Sequence, residues 1–330
     1  MAAPVFTMAC QAYDRMQPLR DGTVRVGGAE LNFLDLPVEE TFFRMLKYRE
    51  FDIAELSLSS YVLTLAQGAP FVAVPVFPSR AFRHSGIYVR ADSPLTDPAE
   101  LAGATVGVPE YQITASVWIR GILDEHHGLP VSAVRYRTGG LDRPGRAEKL
   151  RLDLPRDVDV APIGPADTLS QLLLEGKLDG VYSARNPGPF NMPGGGGIRR
   201  LFPDPAGAER AYHARTGIFP IMHTLVIRRE VYEQHRWLAR ELVKACEAAK
   251  ATGLAGMDET AALRYALPWL WAEVERTRAA LGDDWWPYGL DANRHTLEIF
   301  LRYSHEQGLA ARRYGPEELF APESLASVVV

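Results

Sequence analysis

The run PVFPSRAFRHSG, Pro75 to Gly86, brings Arg80, Arg83 and His84 together directly after the apolar stretch FVAVPVF. A guanidinium grips a carboxylate through two parallel hydrogen bonds, which an ammonium cannot do. An imidazole titrates near neutral pH. The trio therefore reads either as a solvated turn or as an anion clamp with a proton donor built in. A second histidine, His223, stands beside Thr224 between the apolar stretches of TGIFPIMHTLVIRR. It is either a satisfied buried histidine or a second titratable group opposite His84.

Two further places offer polar groups at helix starts. LSLSS, Leu56 to Ser60, begins a helix whose first N–H groups, with the hydroxyls of Ser59 and Ser60, would suit an anion or simply cap the helix. Glu55 stands just before it. PEYQITA sets Glu110, Tyr111, Gln112 and Thr114 at another helix start, and YSARNP offers Arg185 and Asn186 directly after a strand. TGGLDRPGR carries Arg143 and Arg146 but lacks the GxxxxGK[ST] spacing of a phosphate loop.

These groups need a scaffold, and the chain alternates strand and helix patterns in the manner of an α/β layer architecture. PVFTMAC, ELNFLDL, FDIAELS and FVAVPVF read as strands. PVEETFFRMLKYRE reads as a helix with Phe42, Phe43, Leu46 and Tyr48 on or near one face. Beyond the opening run, SGIYVR, ATVGVP and VRYRTGG are strands, and EYQITASVWIRGILDEHHG is a helix. The chain then returns through IMHTLVIRR to a long helix and a mostly helical C-terminal third, broken by the loop DDWWPYG. The run from Pro75 and the segment TGIFPIMHT each link separate α/β units. Such a path predicts a two-lobed, type II periplasmic-binding-protein-like fold with two inter-lobe crossings and a mostly helical C-terminal extension. Residues 1–82 and 217–330 would form the first lobe and 83–216 the second, with a ligand cleft between them.

The bulk numbers narrow the function. A chain of 330 residues with 47% hydrophobic residues is long enough for two cores. A net charge of −5 argues against nucleic acid or a membrane surface as partner. Two cysteines, Cys10 and Cys246, read as free buried thiols. His126 and His127 have no partner at metal-ligand spacing, so no metal is expected. The N-terminus lacks a secretory pattern and no apolar run would span a bilayer, which predicts a cytoplasmic protein.

Several long blocks carry a resemblance: FDIAELSLSSYVLTLAQG, PFVAVPVFPSRAFRHSGIYV, VGVPEYQITASVWIRGIL, TGGLDRPGR, TGIFPIMHTLVIRR and DDWWPYGLDANRHTLEIFLRYSHEQGL. Together they resemble the 4,5-dihydroxyphthalate decarboxylase family over nearly the whole chain. The resemblance implies non-oxidative loss of one carboxylate from 4,5-dihydroxyphthalate or a close hydroxylated aromatic acid, giving protocatechuate and CO2. It implies no cofactor, because the ring hydroxyl para to the leaving group is the electron source.

On this basis His84 and His223 are the expected catalytic residues. Arg80, Arg83, Ser59, Ser60, Glu55, Tyr111, Gln112, Thr114, Arg185, Asn186 and Thr224 are the expected substrate contacts. Glu55 could accept a phenolic proton. The alternative is a non-catalytic binding protein for a small aromatic carboxylate, in transport or sensing; an enzyme for another ring acid also stays open. The helical C-terminal third offers an interface for a homo-oligomer.

Overall fold

Residues 2–325 are described by the structure, a computed structural model; Met1 and residues 326–330, which the expected first lobe includes, lie outside them. Eleven strands are present among them: β1 Val5–Cys10, β2 Glu30–Asp35, β3 Ile53–Ser57, β4 Phe71–Val74, β5 Ile87–Arg90, β6 Thr105–Val108, β7 Arg135–Thr138, β8 Val160–Pro162, β9 Gly180–Tyr182, β10 Ile198–Arg200 and β11 His223–Arg228. They form two sheets, and the chain divides into two compact units around them.

The first unit holds the chain up to Arg80, Ile221–Glu298, and the chain from Tyr314 on. Its sheet has the order β2-β1-β3-β11-β4. β1 runs parallel to β2 and β3, whereas β11, arriving from much later in the sequence, is antiparallel to both β3 and β4. β3 lies between β1 and β11, and all five of its residues are buried. That explains why FDIAELS is nearly continuously apolar, and it makes the acid at Glu55 conspicuous.

The helix Val38–Tyr48 departs from expectation in its facing. Thr41, Phe42 and Met45 are its buried residues, while Phe43 and Tyr48 are exposed. The buried set recurs at helical spacing, and Phe43 and Tyr48 fall outside that stripe.

The second unit comprises Ala81–Pro220 and Ile299–Arg313. Its sheet has the order β10-β5-β9-β6-β7-β8, with β9, β6, β7 and β8 parallel, β5 antiparallel to β9, and β10 antiparallel to β5. Tyr88, Leu169, Leu173, Leu178, Val181 and Ile198 pack one face of it. The helix Thr114–His127 carries Gly121 in its interior, where glycine ordinarily costs about 1 kcal/mol. The Tyr303 ring lies against that glycine so closely that a Cβ would overlap it.

Candidate active site

The sheet of the first unit brings together residues far apart in sequence. Side chains alternate along a strand, so Glu55 and Ser57 share one face of β3. His223, at the start of β11, pairs with Ser57 and is thus the diagonal neighbour of Glu55 on that face. Its Nδ1 lies 2.6 Å from Glu55 Oε1 across 168 residues of sequence. Thr224 points the other way, is fully buried, and donates to the Val74 carbonyl at 3.1 Å. It shares a strand with His223 and not a face.

Glu55 is wholly inaccessible, and a buried carboxylate without partners would cost several kcal/mol. Four groups surround it. Oε1 accepts from the Tyr13 hydroxyl at 2.7 Å and meets His223; Oε2 accepts from the Gln11 N–H at 3.3 Å and the Cys10 thiol at 3.5 Å. Burial alone would raise its pKa, but His223, Tyr13 and Gln11 outweigh burial and hold it below the usual glutamate value. The carboxylate is therefore ionised, and it fixes the His223 tautomer with the Nδ1–H donating to Glu55. His223 Nε2 has no partner among the described residues, and the side chain is 16% exposed. Phe42 stands edge-on to the ring, with centroids 4.9 Å apart.

The same pressures keep the neighbours protonated. Burial, then Glu55, push the Cys10 thiol and the Tyr13 phenol upwards, so neither is an anion at neutral pH. The Arg15 guanidinium lies 4.2 Å from the Tyr13 ring centroid and 4.1 Å from the Trp286 ring centroid. Cys10, Gln11, Tyr13, Arg15 and Trp286 were not among the expected site residues. The signal was available: ACQAYDR directly follows β1, and ligands of open α/β sheets gather at the carboxyl ends of strands.

A curated protein of Comamonas testosteroni named 4,5-dihydroxyphthalate decarboxylase is 44% identical over 322 residues, covering 97% of both chains. A Pseudomonas putida protein of the same name is 46% identical over 208 residues, 63% of this chain and 80% of its own. The chain belongs to the 4,5-dihydroxyphthalate decarboxylase family. No protein-family profile matches it. Solved structures confirm the periplasmic-binding-protein-like fold of this family member at low identity. The periplasmic aliphatic sulphonate binding protein SsuA of Escherichia coli aligns with a TM-score of 0.54 at 13% identity, covering 97% of this chain and 98% of that one. A DszB mutant in complex with biphenyl-2-sulfinic acid aligns with 0.53 at 17%, covering 98% of each.

In this decarboxylase-family chain the remaining expected site residues have mixed surroundings. Arg80 and His84 are buried, at 6% and 3% exposure, which corrects the expectation of an exposed cationic turn. Arg80 Nη2 donates to the Pro287 carbonyl at 2.7 Å and to Asn293 Oδ1, and its guanidinium lies over Phe77. His84 sits among aromatic rings: Phe202 and Tyr212 with centroids at 5.3 Å, and His127 at 6.4 Å. Burial, followed by His127, His126 and Arg215, pushes its pKa down to about 4, so it is neutral at pH 7. Arg83 is half-buried, with Glu209 as its nearest compensating charge.

At the helix Leu58–Leu65 the capping side chain is Ser57, whose Oγ accepts from the Ser60 N–H at 3.4 Å. The Leu58 N–H donates to the Met222 carbonyl, so two of the first-turn donors already have protein acceptors. Ser59 and Ser60 are both buried. In the second unit Glu110, Tyr111, Gln112 and Thr114 are all buried. Glu110 is held by Arg146 at 2.7 Å and by Lys149, and Tyr111 lies beneath the Arg120 guanidinium at 3.7 Å. Gln112 meets the backbone N–H groups of Lys149 and Leu150. Glu148, which accepts from the Tyr111 N–H, has its pKa raised by burial to about 7. Asn186 accepts from the Tyr88 hydroxyl at 2.7 Å, and Arg185 is exposed. No group of three or more histidine, cysteine or acidic side chains among the described residues is placed to hold a metal ion. No helix among them is long and apolar enough to cross a membrane.

Proposed function

We propose that the protein catalyses non-oxidative decarboxylation of 4,5-dihydroxyphthalate to protocatechuate and CO2, with His223 as the proton donor. The observation that supports this most directly is the Glu55–His223 pair, in which a buried ionised carboxylate occupies Nδ1 and leaves Nε2 for the substrate. Each ring hydroxyl of the substrate lies para to a carboxylate-bearing carbon, so a phenolic oxygen can push electron density onto that carbon. Nε2–H of the imidazolium delivers its proton there, forming the C–H bond. The C–C bond to the carboxylate then breaks, its electron pair restores the aromatic ring, and CO2 departs. Solvent returns the proton to His223. Glu55 stabilises the cationic imidazole before transfer and holds it in one orientation afterwards. Tyr13 and Gln11 keep Glu55 ionised.

Ser59, Ser60, Arg83, Tyr111, Gln112, Thr114, Arg185 and Asn186 remain proposed substrate contacts. We place the enzyme in the cytoplasm, which cell fractionation would check. The activity itself is tested by incubating the purified protein with 4,5-dihydroxyphthalate in D2O. The expected product is protocatechuate carrying one deuterium at the carbon that lost its carboxylate. Unchanged substrate, together with a ligand-dependent rise in Tm, would identify a binding protein instead.

A further inference from the structure

We propose that Arg15 binds the carboxylate that the substrate keeps, through one N–H on each of Nη1 and Nη2. The inference rests on the decarboxylase assignment above and adds the group that makes the site select a vicinal diacid. A guanidinium carries five N–H donors in a fixed planar fork. In Arg15 the Nε–H donates to the Pro78 carbonyl at 2.7 Å, one Nη2–H donates to the same oxygen, and one Nη1–H reaches Asp14 Oδ1 at 2.9 Å. One N–H on each terminal nitrogen is left without a protein partner among the described residues. Those two donors match the spacing of two carboxylate oxygens.

The surroundings restrict how an anion can approach. The Tyr13 and Trp286 rings pack against the guanidinium at 4.2 and 4.1 Å, and the Pro78 carbonyl takes its Nε edge. The side chain is 11% exposed, and both remaining donors lie on its terminal edge, at Nη1 and Nη2. Tyr13 ties this edge to the proton donor: its ring lies on Arg15, while its hydroxyl bonds Glu55, which holds His223. One rigid assembly thus sets the distance between a carboxylate fork and an acid. A ring with a single carboxylate cannot fill the fork and at the same time present a second carboxylate-bearing carbon to His223.

Trp286 is itself fixed, which makes it a positioning residue. Its indole N–H donates to the Phe77 carbonyl at 2.9 Å, and Lys250 Nζ meets its carbonyl at 3.2 Å and Asp284 at 3.3 Å. Arg80 holds the next carbonyl, that of Pro287. The arginine that the sequence offers as a clamp after β4 fastens the loop that stacks on the arginine after β1.

The test is titration calorimetry with two probes: protocatechuate, which retains the carboxylate in question, and catechol, the same ring without it. Arg15→Gln is expected to weaken protocatechuate about 100-fold while leaving catechol within about threefold. Arg15→Lys, which keeps the cation between the rings but loses the fork, is expected to restore only part of that affinity. Trp286→Leu is expected to raise KM for 4,5-dihydroxyphthalate about tenfold with a smaller change in kcat. Equal losses for both probes, or protocatechuate affinity kept in folded Arg15→Gln, would overturn the clamp. If the wild-type protein turns over the diacid while Arg15→Gln binds normally, the clamp alone fails. If the wild-type protein neither binds protocatechuate nor turns over the diacid, the decarboxylase assignment and the clamp fail together.

Discussion

His223 and His84 are the same side chain in opposite electrostatic settings. His223 faces a carboxylate that is buried and ionised, and its second nitrogen has no protein partner among the described residues. His84 faces rings, two further histidines and Arg215; among the described residues no acid is within hydrogen-bonding distance of it, and its Nδ1 has no hydrogen-bond partner. Desolvation disfavours the charged form of any imidazole, and only a compensating anion reverses that. The second histidine is built to refuse a proton. Burial therefore does not separate the two settings; the charge of the nearest partner does.

The comparison breaks most sharply in turnover. Substituting His223→Gln is expected to lower kcat about 1000-fold with 4,5-dihydroxyphthalate, within the range of general-acid contributions. His84→Phe, placed among rings of its own kind, is expected to change kcat less than about threefold. Comparable losses in the two variants, measured in one assay, would remove the distinction drawn here.

Acid stability sharpens the other side. The folded pKa of His84 is about 4 against an ordinary value of about 6.5, so the unfolded chain takes up the proton first. Stability is then full above pH 6.5 and falls by about 3 kcal/mol as the pH drops towards 4. His126, His127 and His213, all shifted downwards chiefly by burial, add to the same trend. Denaturant unfolding of His84→Phe between pH 7 and pH 4 should show a shallower decline than the wild-type protein; a parallel decline would mean that His84 is not the main acid-sensitive group.

Smaller effects grade the carboxylate's role. Glu55→Gln keeps the shape but removes the charge, and kcat is expected to fall about 100-fold with little change in affinity for protocatechuate. Tyr13→Phe removes one of the four donors to Glu55, a loss of about 1 kcal/mol in the hydrogen bond itself. With one bond fewer to orient Glu55, kcat is expected to fall about fivefold. An unchanged kcat in a folded Tyr13→Phe variant would show that Tyr13 only packs.

Much of this was legible in the chain. The acid in FDIAELS and the histidine in FPIMHTLVI stand out because strand periodicity leaves no solvent face for them, and the fold brings the two into one hydrogen-bonded pair. The strands and long helices follow their apolar spacing, apart from the face of Val38–Tyr48. The cationic run was misleading in one respect: three titratable groups in five residues look solvated, yet the fold buries two of them.

What the sequence by itself determined is local: which segments become strand or helix, which side chains alternate to which face, and which polar residues lie in apolar surroundings. The long-range pairing came from the tertiary structure. Glu55 and His223 meet because β11 enters the sheet beside β3 after an excursion through a whole second unit. Arg15 acquires Trp286 across an even longer stretch of chain. Charge state depends on desolvation and on the nearest counter-charge, and both are properties of packing in space, so no local pattern could separate the setting of His223 from that of His84.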